Sequence, residues 1–207
     1  SRLCNVEEMT GYRVHDANGD TLYSSNRTQV PNVNIADRAY FKQLRDGPGS
    51  GLLFSDVLIG RSTNRQVMVI ARALRDDHGR FMGIVHGMLD LEYYTRQFSS
   101  LDLGTQGIVA LHRSDNHTQV VRWPDSPDKA NKPLAADHPL VQRMAAGELD
   151  FSLHYSIRAE GVPRILSVTT MQHYPFYFAV GIGRYDVLAG WYSQVMVVAV
   201  SSLLLFG

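Results

Sequence analysis

Short apolar, strand-like runs bounded by polar turn residues recur along this chain, and they come in two successive sets. In the first set, Tyr12 and Val14 on one side and Leu22 and Tyr23 on the other flank Asp16-Ala17-Asn18-Gly19-Asp20. Asn-Gly is a strong turn signal because both residues accept positive φ, so 12–23 predicts a hairpin. A polar connector runs to Ile35. Residues 37–44 then predict a short helix, with Asp37 as its N-cap and Tyr40, Phe41 and Leu44 on one side. Gly47-Pro48-Gly49 stops it. Three strand-like runs follow, Phe54–Gly60, Gln66–Leu74 and Phe81–Leu91, the last two joined by a turn at Asp76-Asp77-His78-Gly79. Strands in series joined by such turns predict an antiparallel sheet. Tyr93–Phe98 predicts a closing helical turn or two.

The pattern then begins again. Gly107–His112 and Thr118–Arg122 flank a turn at Ser114–His117, a Pro-containing polar loop follows, and Pro139–Ala146 is helix-like. Leu149–Ser156, Pro163–Thr170 and Phe176–Ile182 predict three more strands. Each half therefore reads as hairpin, helix and three antiparallel strands, a structural repeat at a spacing of about 95 residues with little literal identity. The fold class is α+β.

The last residues break this pattern of short runs and turns. From Val195 to Phe206 nearly every residue is apolar, and Trp191 and Tyr192 precede the run as an aromatic belt would. A full span needs about 20 apolar residues, so 189–207 reads as the truncated start of a transmembrane helix; an apolar helix docked on the core is the other reading. The 207 residues carry 20 Lys plus Arg against 20 Asp plus Glu, a balance with no electrostatic pull toward nucleic acid. One cysteine, Cys4, excludes an internal disulfide framework and a Cys-rich metal site. The histidines have no i, i+4 helical pairing, so no metal is expected. No nucleophile elbow or phosphate-cradling loop is present, and neither enzymatic activity nor a cofactor is expected.

The repeat followed by an apolar helix resembles the double Cache (tandem PAS-like) extracytoplasmic sensor domains of bacterial receptors, most of all the branch carried by GGDEF diguanylate cyclases. In the first half the resemblance rests on Asp37–Phe41, Val57–Arg61, Gly79–Val85 and Leu89–Tyr94. In the second it rests on Ile108–Arg113, Arg122-Trp123-Pro124, Tyr174–Gly181 and Arg184–Trp191. It implies that 1–10 is the tail of an N-terminal helix, 11–100 a membrane-distal subdomain, and 101–188 a membrane-proximal one. In such receptors the distal subdomain usually binds a small ligand and the proximal one relays.

Candidate ligand contacts follow. Arg38, at a helix start beside Tyr40 and Phe41, can grip a carboxylate by two parallel hydrogen bonds, or can pair with an acid such as Asp37. The amino-acid-binding members of the family carry an upstream Tyr and a distal Asp, which fall here on Val33 and Met88. Met88 cannot neutralise an α-ammonium, so an anion, a carboxylate or a more apolar ligand fits better than an amino acid. His86 lies two residues before Met88 and shares its strand face, as a ligand contact or as a core histidine. Arg72 is a second possible anion contact on a face that parity leaves open, and Asp56 is a rim or turn-cap residue.

The reading is thus an extracytoplasmic small-molecule sensor facing the periplasm from the bacterial inner membrane. It would be anchored through the C-terminal helix, act as a homodimer and control a diguanylate cyclase. The alternatives are a histidine kinase or chemoreceptor sensor, or a ligand-free dimerisation module.

Overall fold

A computed structural model describes residues 9–25, 33–49, 51–126, 130–156 and 162–187. The chain divides into two compact units, Ser1–Gln97 and Phe98–Gly207. The segment 189–207, expected to enter a membrane, lies outside the described residues. Among the described residues no helix is long and apolar enough to cross a membrane.

The N-terminal unit contains β1 (Met9–Asp16), β2 (Thr21–Ser24), α1 (Ala39–Asp46), β3 (Leu53–Ile59), β4 (Gln66–Arg75), β5 (Phe81–Asp90) and most of α2 (Leu91–Ser99), which runs past the boundary at Gln97. The five strands form one antiparallel sheet in the order β2-β1-β5-β4-β3. The last strand therefore lies between the hairpin and the meander, and Arg13 on β1 faces His86 on β5. Met9 and Thr10, expected in a helical tail, open β1 instead, where Met9 pairs with Leu89.

Two tight turns of this sheet are built alike. Asp16 Oδ1 accepts from the backbone N–H groups of Asn18 (2.9 Å) and Asp20 (2.8 Å). Asp76 Oδ1 does the same for His78 (3.0 Å) and Arg80 (2.8 Å). In each, the carboxylate satisfies turn donors that the ladder cannot reach.

Helix α1 lies on the sheet through Tyr40, Phe41 and Leu44, which pack with Val67, Val69, Ala71, Ala73 and Ile84. Its N-cap is Arg38, which makes no side-chain cap bond. Asp37, expected to cap it, instead pairs with Arg61, because a guanidinium is a stronger partner for a carboxylate than one backbone N–H. At the other end, Arg75 of β4 donates through Nη2 to Gly47 O (2.6 Å) and Leu44 O (3.0 Å). A cation thus meets the carbonyls that a helix end leaves unpaired.

Gly83 has φ 142°, and a Cβ there would lie 2.0 Å from His15 O. Gly83→Ala is expected to destabilise this unit by about 3 kcal/mol or more, since β1 and β5 must part. Gly79 has φ 77° with open space around it, so Gly79→Ala should cost only about 1 kcal/mol. Urea unfolding of the two variants should rank them in that order.

The C-terminal unit repeats the plan with β6 (Ile108–Arg113), β7 (Gln119–Trp123), α3 (Pro139–Ala145), β8 (Asp150–Ser156), β9 (Pro163–Thr170) and β10 (Phe176–Gly183), in the order β7-β6-β10-β9-β8. Its core gathers Ile108, Leu140, Leu166, Val168, Tyr177 and Ala179. His138 caps α3, its Nδ1 accepting from Leu140 N–H at 3.2 Å. After β10, Asp186 accepts from Thr105 Oγ1 (2.9 Å) and Gln106 N–H (2.9 Å). These bonds fasten the chain leaving the sheet to the loop that enters it.

Candidate functional site

Strand parity and the placement of β5 beside β1 bring a set of polar side chains to one side of the N-terminal sheet. Arg13 and His15 project from β1, His86 and Met88 from β5, and Tyr40 comes down from the first turn of α1. Arg38, at the helix N-cap, and Arg61, in the loop after β3, close the rim. The cavity among them measures about 20 Å³, room for about one water molecule.

The rim is cross-braced. Arg61 binds both Asp37 and the carbonyl of Asn34. Asn34 in turn donates to Asn18 O (3.0 Å) and Asp20 Oδ1 (2.8 Å). Arg38 donates through Nη2 to Ile59 O at 3.1 Å. Deeper in, the His15 and His86 rings lie 4.9 Å apart, and the Tyr40 ring meets His86 edge-on at 6.0 Å. His15 Nδ1 lies 3.1 Å from Gly19 O. Arg13 Nη1 approaches Met88 Sδ at 3.9 Å. His86 is 3% exposed, and neither of its ring nitrogens has a hydrogen-bond partner.

Burial sets the protonation. It pushes His86 down to about 3, with the neighbouring His15 and Arg13 adding to the effect. Burial also lowers His15, partly offset by the Gly19 carbonyl. The Tyr40 hydroxyl is pushed up to about 12 by burial, against the pull of nearby arginines. The cavity at neutral pH is thus lined by neutral imidazoles, a neutral phenol and three guanidinium groups, with no carboxylate among its lining residues. That is an environment for an anion, and it offers no counter-charge to an ammonium.

Of the candidates read from the sequence, Arg38, Tyr40, His86 and Met88 come together here. Phe41 does not: it is fully buried in the core, its ring edge-on to Phe81 at 5.5 Å. Adjacent helical residues are about 100° apart, and only Tyr40 points to the cavity end. Asp56 is exposed on β3, at the register shift between Phe54 and Val57. Arg72 is exposed on the sheet face opposite to Val69 and Ala71. Arg13, His15 and Arg61 were missed. Arg13 and His15 carry the same i, i+2 signal that joined His86 to Met88, but nothing local tells that β1 neighbours β5. Among the described residues no group of three His, Cys, Asp or Glu side chains could hold a metal ion.

No model of a known protein family matches the sequence, and no curated protein sequence matches it. Solved structures do match. The extracellular domain of rpHK1S-Z16, assigned as a histidine kinase, superposes with a TM-score of 0.73 at 26% identity, over 90% of this chain and 76% of that one. The ligand-binding domain of the Pseudomonas fluorescens chemoreceptor CtaA, in complex with L-isoleucine, gives 0.60 at 18% identity over 88% and 72%. That of the Campylobacter jejuni chemoreceptor Tlp3, in complex with 4-methylisoleucine, gives 0.52 at 13% over 84% and 65%. The paired five-stranded sheets of this chain are therefore similar to the Cache-like fold of extracellular ligand-binding sensor domains.

Proposed function

We propose that the chain is the extracytoplasmic ligand-sensing part of a membrane-anchored, dimeric signalling protein of histidine kinase or chemoreceptor type. The observation that carries this reading is a polar, arginine-lined cavity at the junction of sheet and helix in a fold similar to extracellular ligand-binding domains. The diguanylate cyclase output expected from the sequence resemblance has no counterpart among the structures named above, so the kinase or chemoreceptor output is the better-supported one. The ligand class is a small carboxylate or other anion. The amino acids bound by CtaA and Tlp3 fit less well, because among the described residues no acid lines this cavity to meet an ammonium group.

The small volume has a mechanistic consequence. An anion enters only if the rim held by Arg61, Asp37 and Asn34 opens, so binding discriminates between an open and a closed arrangement. A ligand with different affinity for two states shifts their populations, and the segment fastened by Asp186 is the route by which the shift leaves the C-terminal unit. The same small volume is the one observation that favours a ligand-free dimerisation module.

Calorimetric titration with a panel of two- to six-carbon mono- and dicarboxylates and the common L-amino acids separates these. A carboxylate is expected to bind, and Arg38→Ala to weaken it about tenfold or more, the scale of a lost charge-assisted pair. Tight binding of ordinary L-amino acids that is indifferent to Arg38→Ala would overturn the ligand class. Silence across the panel with a stable dimer in solution would favour the dimerisation module.

A further inference from the structure

A second void, roomier than the N-terminal cavity, lies in the other unit. Between the sheet and α3 of the C-terminal unit is a cavity of about 180 Å³, against about 20 Å³ in the N-terminal unit. The register explains the difference. In the N-terminal sheet Arg13 faces His86 and His15 faces Ile84; in the C-terminal sheet Ala110 faces Ala179 and His112 faces Tyr177. Ile84 and Tyr177 are both fully buried and His15 and His112 nearly so, which aligns the two frames. Two steps along β5 and β10, Met88 then corresponds to Gly181. The positions that Arg13 and His86 fill in one unit are Ala110 and Ala179 in the other, and the space beside them is left open; over Gly181 the side chains of Ile108 and Leu166 close in.

The walls of this void are chemically divided. Leu140 of α3 and Leu166 of β9 contribute apolar surface, while His112, Gln119 and Arg122 come from β6 and β7. His138, the cap of α3, stands at the counterpart of Arg38. Arg122 is 9% exposed and His112 is 5% exposed, and His112 Nδ1 has no hydrogen-bond partner. Among the described residues no Asp or Glu lines the void. Burial pushes His112 down to about 3 and lowers His138 as well, so among the described lining residues the formal charge is that of Arg122. Its planar fork of N–H donors matches a carboxylate. A cavity of about 150 Å³ lined by apolar side chains holds benzene, which sets the size of the occupant's body.

We propose that the C-terminal unit holds a second binding site, between β6, β7, β10 and α3, for a monocarboxylate with an apolar body of about benzoate size, its carboxylate on Arg122. The site is separate from the N-terminal cavity and stands or falls without it. The test is titration of the whole chain with benzoate, with benzyl alcohol and benzylamine as uncharged and cationic controls. Benzoate is expected to bind, the controls at least tenfold more weakly. Arg122→Met and Ala110→Leu, which fills the void, should each weaken benzoate at least tenfold, with Arg38→Ala leaving it unchanged. On the unmutated chain, magnetisation transfer from the benzoate ring should reach the methyl groups of Ala110 and Ala179, a readout that needs no variant to fold. Failure of benzoate to bind, transfer that misses both methyls, or a loss caused by Arg38→Ala but not by Ala110→Leu would overturn this site. The last of these would leave the N-terminal reading intact.

Discussion

Acidification from about pH 7.5 to pH 4.5 is expected to take about 2–3 kcal/mol of stability from each unit. His86 and His112 are both pushed down to about 3, chiefly by burial, whereas an imidazole in the unfolded chain protonates near 6.5. Between those values the unfolded chain binds a proton that the folded chain refuses. Stability from each group is therefore fully present above about pH 6.5 and is lost as pH falls toward 3. The surroundings give no relief. His86 faces Arg13 and His15 from β1 and Tyr40 from α1, and His112 faces Tyr177, His117, His138 and Arg122. None of these is an acid that could hold an imidazolium. His15 and His138 are lowered too and act in the same direction. The paired carboxylates Asp37, Asp76, Asp115 and Asp186 are lowered from 3.8, so their contribution is lost only below this window. Urea unfolding at the two pH values measures the effect. His86→Leu should shrink the pH-dependent loss in the N-terminal unit and His112→Leu that in the C-terminal unit. An undiminished loss in both variants would mean that these imidazoles are not held neutral by burial.

The order of elements was legible because apolar runs and turn residues are local properties. The hairpin at Asp16–Asp20, the helix after Asp37, the three-strand runs and their recurrence were all readable from side-chain period and turn residues. Strand order was not, because the pairing of β1 with β5 joins Arg13 to His86 across most of the unit, and no local pattern encodes that closure. The missed residues Arg13 and His15 are a direct result. Arg72 stayed ambiguous because both faces of β4 are apolar, Met68 and Ile70 on one and Val67, Val69 and Ala71 on the other. Asp37 is a sound N-cap by local rules, and Arg61, distant in sequence, outcompetes the helix for it. The two cavities follow the same lesson. Ala110 and Ala179 are visibly small in the sequence, but only the register reveals that they face each other and leave space.

Phe41→Ala is expected to lower the stability of the N-terminal unit by about 3–5 kcal/mol, the range for deleting a buried aromatic ring. Phe41 is 0% exposed and its ring is the link between α1 and the sheet, edge-on to Phe81 and packed with Leu44, Val67, Val69 and Ile84. Removing it leaves a void that rigid strands on one side and a single two-turn helix on the other cannot close. Set against a total of about 5–15 kcal/mol for a domain, the loss is large enough to bring the N-terminal unit near its unfolding threshold. The milder Phe41→Leu separates core from cavity. It should cost about 1–2 kcal/mol and leave the affinity of whichever carboxylate binds unchanged, because Phe41 does not line the cavity. Tyr40→Phe, one residue earlier, removes only the hydroxyl at the cavity wall. It should have the opposite profile, with stability within about 1 kcal/mol of the parent and a weakened ligand. Unfolding curves and calorimetric titration on the same two proteins check both halves of this contrast. A Phe41→Leu chain that binds as poorly as Tyr40→Phe would place Phe41 against the ligand and contradict the geometry described here.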